Sequence, residues 1–196
     1  SAPAAAPVRD LEPAQPETVV KREAPQAVKA EDLPTGQPVP KVPGLKRMQL
    51  RVLDKVGCGM TLQTTRWGMV VEEVEAKPGQ PLLKKGDCIV EVDKLSLVGL
   101  PEDVCEDTFG TAFRHGVWLS AVSGSEAGVN QNDLDSAEYA YDKFFSQHAL
   151  AEAQDEVALR AAIMEARAAG VEASVITEAD TRLRTLAAER ELADAG

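Results

Sequence analysis

The chain has 196 residues, 44% of them hydrophobic and 27% charged, with only 4% aromatic and a net charge of −11. That length suits one domain of about 100 residues with extensions, or two small domains, and with so few rings Ala, Val and Leu must do most of the packing. The negative charge argues against nucleic acid held through its phosphates, and with no run of about 18 apolar residues nothing here is built to span a bilayer.

The charge is uneven. Residues 125–196 carry six basic and fifteen acidic side chains, whereas the preceding part is nearly balanced. Such an excess usually marks a solvated helix surface, and a basic partner is the sharper reading. The three cysteines, Cys58, Cys88 and Cys105, have no CxxC spacing. A disulfide framework or a zinc site needs more ligands, better spaced, so neither a metal nor a cofactor is expected. Cys88 and Cys105 sit among apolar neighbours and read as buried thiols, which suits a reducing compartment.

Residues 1–44 hold nine of the twelve prolines. Proline fixes φ and lacks an N–H, so regular helix or sheet cannot persist there. Leu11, Val19, Val20 and Leu33 follow no period. The segment is expected to be an extended, polyproline-II-like arm, ordered only by contact with a partner or with its own domain. The start, Ser1-Ala2-Pro3-Ala4-Ala5-Ala6-Pro7, looks like a mature N-terminus left after a targeting peptide is removed, and a chain trimmed there would look the same. With the Ala-rich helices downstream it points to an organelle such as the chloroplast, the cytoplasm being the other compartment.

From residue 45 to residue 124, short β-branched runs alternate with Gly-containing turns. Met48–Leu53 alternates as a half-buried strand. Met60–Thr65, Met69–Val74, Cys88–Val92 and Val117–Val122 read as four more. Leu82–Gly86 fits one short helical turn closed by Gly86. Pro101 followed by Glu102 and Asp103 marks a helix start, and Val104, Cys105, Thr108 and Phe109 give that helix one apolar face.

Residues 125–132 read as a polar linker, and residues 133–196 as an acidic helical extension. Asp133 or Asp135 could cap a first helix running through Tyr139, Tyr141, Phe144 and Phe145 to about His148. A second covers Leu150–Ala169, with Gly170 at the position that stops it. A third runs from Val175 to about Leu192. The last two form a helical hairpin about Gly170 and Val171. Its stripes are narrow and rich in Ala, so it should dock on the preceding domain or on a partner.

Gly57-Cys58-Gly59-Met60 follows one strand and opens the next. Two glycines let the backbone take φ > 0 and present successive N–H groups as a small nest, which receives a carboxylate. The strand Met60–Thr65 would leave an edge open beside the helix at Pro101–Phe109, where an extended peptide can add as a further strand. This Gly-apolar-Gly-apolar stretch resembles the carboxylate-binding loop of PDZ domains. Lys77-Pro78-Gly79, followed by Leu83-Lys84-Lys85-Gly86-Asp87-Cys88-Ile89-Val90-Glu91-Val92-Asp93, resembles that family's most recognisable stretch. There an apolar residue packs under the sheet and the Asp closes a turn into the next strand. Val98-Gly99-Leu100 before the helix, and the final strand, also fit.

The resemblance covers residues 45–123. It implies an α+β fold: a PDZ-like β-sandwich of five or six strands with one or two short helices, flanked by the Pro-rich arm and the helical extension. It also implies a peptide groove made by Gly57, Cys58, Gly59, Met60, Leu62, Glu102 and Cys105. There are departures. Asp93-Lys94 stands where the family usually has Asn-Gly, and Pro101-Glu102-Asp103 where some members place a His for a ligand hydroxyl. Glu102 or Asp103 would disfavour an acidic ligand side chain and favour a hydroxyl or a basic one.

No catalytic constellation is present. His115 and His148, the only histidines, lie in different segments, and no Gly-x-Ser-x-Gly appears. Gly57-Cys58-Gly59 lacks the Lys of a phosphate loop. Trp67 and Trp118 read as packing residues, with Trp67 on a hairpin tip also a candidate contact anchor. The expected function is a non-catalytic accessory or scaffold subunit of a larger assembly, contacting other protein chains through arm, PDZ-like body and acidic helices. An organellar membrane complex such as a photosystem is one such host. The alternative is an adaptor that captures C-terminal peptides by strand addition.

Overall fold

A computed structural model describes residues 34–194. Residues 1–33, most of the expected arm, lie outside the described residues. The strands are β1 (Lys46–Gln49), β2 (Met60–Thr65), β3 (Gly68–Val74), β4 (Cys88–Val92), β5 (Leu95–Ser96) and β6 (Trp118–Val122). The helices are α1 (Glu102–Ala112), α2 (Gly124–Ala127), α3 (Ala137–Glu152), α4 (Glu156–Ala168) and α5 (Ala173–Asp194). The chain is α+β.

The strands form one antiparallel six-stranded sheet in the order β1-β6-β4-β3-β2, with β5 paired to β4. A sandwich of two sheets was the expectation; the strands join instead because β4 bonds to β3 on one side and to β6 on the other. Both faces of this sheet are covered. On one, Met48, Met69, Val71, Ile89, Leu119 and Ala121 pack with Cys105, Phe109 and Ala112 of α1. On the other, Val70, Cys88, Val90 and Val122 pack with Ala137, Tyr141 and Phe145 of α3. Burial on both faces explains why β3 and β4 read as continuous apolar runs rather than as alternating ones.

The alternation from Met48 to Leu53 outlasts the strand it predicts. Met48 and Leu50 are buried while Arg47, Gln49 and Arg51 are exposed, but the paired ladder ends at Gln49. Beyond it the Val52 backbone leans on His115 Nδ1 at 3.2 Å, and the chain turns at Leu53 to Gly57. Leu82–Gly86 is not helical: two successive turns, Leu83 N to Gln80 O at 3.0 Å and Asp87 N to Lys84 O at 3.0 Å, carry the chain into β4. The expected linker at 125–132 is also built into the body. Part of it forms α2, and Val129 is buried under α3.

The C-terminal helices follow the predicted faces with shifted ends. Helix α3 starts after a 3-10 turn at Leu134–Ser136 and runs past His148 to Glu152. The expected helix from Leu150 is split, because Asp155 accepts the Ala158 amide at 2.8 Å and so caps a new helix, α4. Gly170 takes φ +69°, and the amides of Gly170 and Val171 return to the carbonyls of Arg167 and Ala166. That is the αL stop read from the sequence. Arg182 of α5 donates to the Leu150 and Ala153 carbonyls at 3.0 and 2.8 Å, which serves groups at the end of α3 that have no partner within the helix.

The described part of the arm also lies on the body. Gly36 and Gln37 amides donate to Ser96 and Val98 carbonyls at 2.7 and 2.8 Å, and Val39 and Val42 pack against the cluster under α3.

Candidate functional site

Strand β2 pairs with β3 on one side and with no strand on the other among the described residues. The chain turns sharply just before it. The Leu53 carbonyl accepts the Val56 and Gly57 amides at 3.2 and 2.9 Å. Gly57 and Gly59 take φ of +81° and +60°, a region that favours glycine. At Gly59 space also forbids a side chain, since a Cβ would lie 2.6 Å from the Lys77 carbonyl oxygen. The Gly59 carbonyl accepts from the Glu75 amide at 2.8 Å. The amides of Cys58 and Gly59 have no acceptor among the described residues, although Gly59 is buried. Buried donors are almost always paired, and successive amides in such a turn make an anion-binding concavity.

One buried side chain holds the loop in this shape. Gln80, 5% exposed, donates through Nε2 to the carbonyls of Arg51 (2.7 Å) and Cys58 (2.9 Å), and its Oε1 accepts the Arg51 amide at 3.1 Å. It ties the chain before the turn to the loop after it. The sequence carries no local signal for this role, because the partners lie 29 and 22 residues away.

The residues expected to line the groove come together in part. Cys58, Met60 and Leu62 are half-buried and pack against the cluster that contains Cys105. Cys105 has no exposed surface, so it lies beneath the groove and not on its wall. Glu102 is exposed in the first turn of α1. The side chain that reaches from α1 to β2 is Glu106, whose Oε1 meets Thr64 Oγ1 at 3.5 Å. The sequence reading stops at Glu102 and Asp103. Glu106 stands one helical turn beyond Glu102, so the same spacing argument leads to it.

Trp67, the candidate anchor for a partner, is engaged within the chain. It stacks on Phe145 with ring centroids 4.2 Å apart, and its Nε1 donates to Asp142 Oδ1 at 2.6 Å. Trp118 is 44% exposed, with the Arg47 guanidinium 5.2 Å from its ring.

The two buried thiols, Cys88 and Cys105, are pushed towards late titration. Burial pushes Cys105 up from an ordinary value of 9.0 to about 11, and the Glu106 charge adds to the shift. Burial also raises Cys88 and the Tyr141 hydroxyl, strongly in both cases. In each case the folded chain keeps a proton that the unfolded chain releases. Their contribution to stability is therefore complete below the unfolded value and is lost as pH rises through the folded one. Thermal unfolding should show Tm falling between about pH 9 and pH 11, and falling less steeply in Cys105→Ala. A Tm that holds level across that window would contradict the burial of these groups.

Among the described residues no cluster of three His, Cys, Asp or Glu side chains could hold a metal ion, and no helix is long and apolar enough to cross a membrane. Comparison with protein-family models, with curated proteins and with solved structures returned no match.

Proposed function

We propose that the chain is a non-catalytic protein-binding module, a PDZ-like body that takes the C-terminus of a partner as an added strand along β2. The partner's terminal carboxylate would sit on the amides of Cys58 and Gly59. The observation that carries this reading is that pair of amides, without an acceptor among the described residues, at the end of a strand edge that no described strand pairs. A carboxylate supplies the acceptors they lack, and main-chain pairing along β2 supplies affinity without requiring one sequence. The Asp87 turn, in which Oδ2 accepts the Lys84 amide at 3.0 Å, and the place of α1 beside β2 support the family resemblance. Glu102 and Glu106 favour a ligand with a hydroxyl or basic side chain upstream of its end.

A role as accessory or scaffold subunit in a larger assembly follows from the same site. Val157, Met164 and Leu192 are exposed apolar side chains on α4 and α5 that a neighbouring chain could cover. Yet residues 34–44 and α3 pack on their own chain, which moves the weight from the extensions to the groove.

The test changes the ligand and leaves the fold intact. Peptides selected from a random hexapeptide library with free C-termini should bind at least tenfold more weakly when the same sequences are amidated, a difference of about 1.4 kcal/mol or more. Equal affinity for the two forms would overturn the reading. Gly59→Asp is a poorer probe, because its Cβ would disturb the loop against Lys77 whatever its charge does.

A further inference from the structure

We propose that the outer edge of β1 is a second strand-addition site, one that takes an extended acidic segment of another chain. It does not rest on the β2 reading and needs no free C-terminus.

Strand β1 bonds to β6 through alternate residues. The Leu50 amide donates to the Val117 carbonyl and the Gly116 amide to the Leu50 carbonyl, both at 2.8 Å, and Met48 stands opposite Leu119. The inward set is therefore Lys46, Met48 and Leu50, and the backbone groups of Arg47, Gln49 and Arg51 face outward. At Arg51 both groups are met by the side-chain amide of Gln80, at 3.1 and 2.7 Å, much as a neighbouring strand would meet them. At Arg47 and Gln49 nothing meets them among the described residues. Gln80 thus marks where the available edge stops.

The surroundings define what would pair there. A hollow of about 430 Å³ lies against this edge, lined by Arg47, Gln49, Arg51, Pro81, Leu82 and Trp118. Leu82 and Trp118 are 53% and 44% exposed. Neither Arg47 nor Arg51 pairs with a carboxylate among the described residues. Their side chains share one face of the strand with Gln49, since alternate residues point the same way. In a chain of net charge −11, two guanidiniums with no carboxylate partner among the described residues favour a strand with carboxylates at alternate positions. Trp118 stands opposite Gln49 and so shares that face, with the Arg47 guanidinium 5.2 Å from its ring. The carboxylates would lie beside the arginines over the hollow, and the residues between them would point to the opposite face.

The probe is a six-residue peptide of alternating Glu and Val, acetylated and amidated so that it has no terminal carboxylate for the Gly57–Met60 loop. It is added to the full chain at low salt, and amide hydrogen exchange is followed residue by residue. Exchange at Arg47 and Gln49 should slow at least tenfold, and exchange at Cys58 and Gly59 should not change. Arg47→Glu combined with Arg51→Glu, both at exposed positions, should weaken binding at least tenfold, and a Lys-Val peptide should not bind. No slowing at Arg47 and Gln49 with millimolar peptide would overturn the proposal, as would equal binding by the charge-reversed variant. Protection of both amides before any peptide is added would assign the edge to the chain's own segments or to a second copy, and would also overturn it.

Discussion

Phe145→Ala is expected to cost the chain about 4 kcal/mol of stability and to loosen α3 from the sheet. Phe145 is 2% exposed. Its ring stacks on Trp67 at 4.2 Å and touches Tyr141 and Phe144 at 6.0 and 5.5 Å between centroids. Truncating a buried ring loses its transfer free energy and leaves a cavity, together about 3–5 kcal/mol. Relaxation is restricted here. Trp67 is held from the side by Asp142, which also accepts from Arg66 at 2.6 Å, and Tyr141 is fixed by its bond to the Gly86 carbonyl at 2.6 Å. Neither ring is free to swing into the gap. Phe144→Ala, at a half-buried position, should cost roughly half as much. Denaturant unfolding measures both, and a loss below about 1 kcal/mol for Phe145→Ala would mean that α3 is not docked as described.

A loss of about 3 kcal/mol is expected from Asp87→Ala. Asp87 is 2% exposed, and each of its oxygens is used. Oδ2 accepts from Lys46 Nζ at 2.9 Å and from the Lys84 amide at 3.0 Å, while Oδ1 accepts the Gly124 amide at 3.0 Å. One carboxylate therefore joins β1, the turn into β4 and the start of α2. Alanine would leave two amides and an ammonium without that acceptor. Each orphaned buried donor costs about 1–3 kcal/mol, and because the three share one partner the costs do not simply add. The site cannot close by backbone movement: even a Cβ on Gly124 would lie 2.3 Å from the Gly86 carbonyl oxygen. Asp87→Asn keeps one acceptor oxygen and should fall between wild type and alanine. Stability within about 1 kcal/mol of wild type for Asp87→Ala would remove the carboxylate from this role.

The sequence is a good guide where the physics is local. Strands β2 and β4 lie at their predicted residues because each run follows a glycine turn, at Gly59 and Gly86, and β-branched or long apolar side chains fill much of it. Helix α1 buries Cys105, Thr108 and Phe109 as its spacing requires, and Gly170 stops α4. The Asp155 cap was there to be read as well, since an Asp before an apolar-periodic run is a helix start, but the unbroken Ala-rich pattern hid it. What local pattern could not supply was pairing at a distance. Nothing around Val70, Cys88 or Val90 says that the second face of the sheet is covered by Tyr141 and Phe145, far along the chain. The same holds at the loop. The glycines at 57 and 59 announce a tight turn with exposed amides, but Gln80, which holds that turn, has no signature except its own burial.

The most direct test of the central claim is an NMR titration of the full chain with a library-selected peptide that ends in a free carboxylate, following the backbone amides of Cys58 and Gly59. Binding at the loop should move both amide signals downfield and slow their exchange at least tenfold, as expected when an unpartnered donor gains a charged acceptor. The amidated peptide should do neither. Binding that leaves these two amides unchanged would contradict the claim that this loop receives the end of a partner chain.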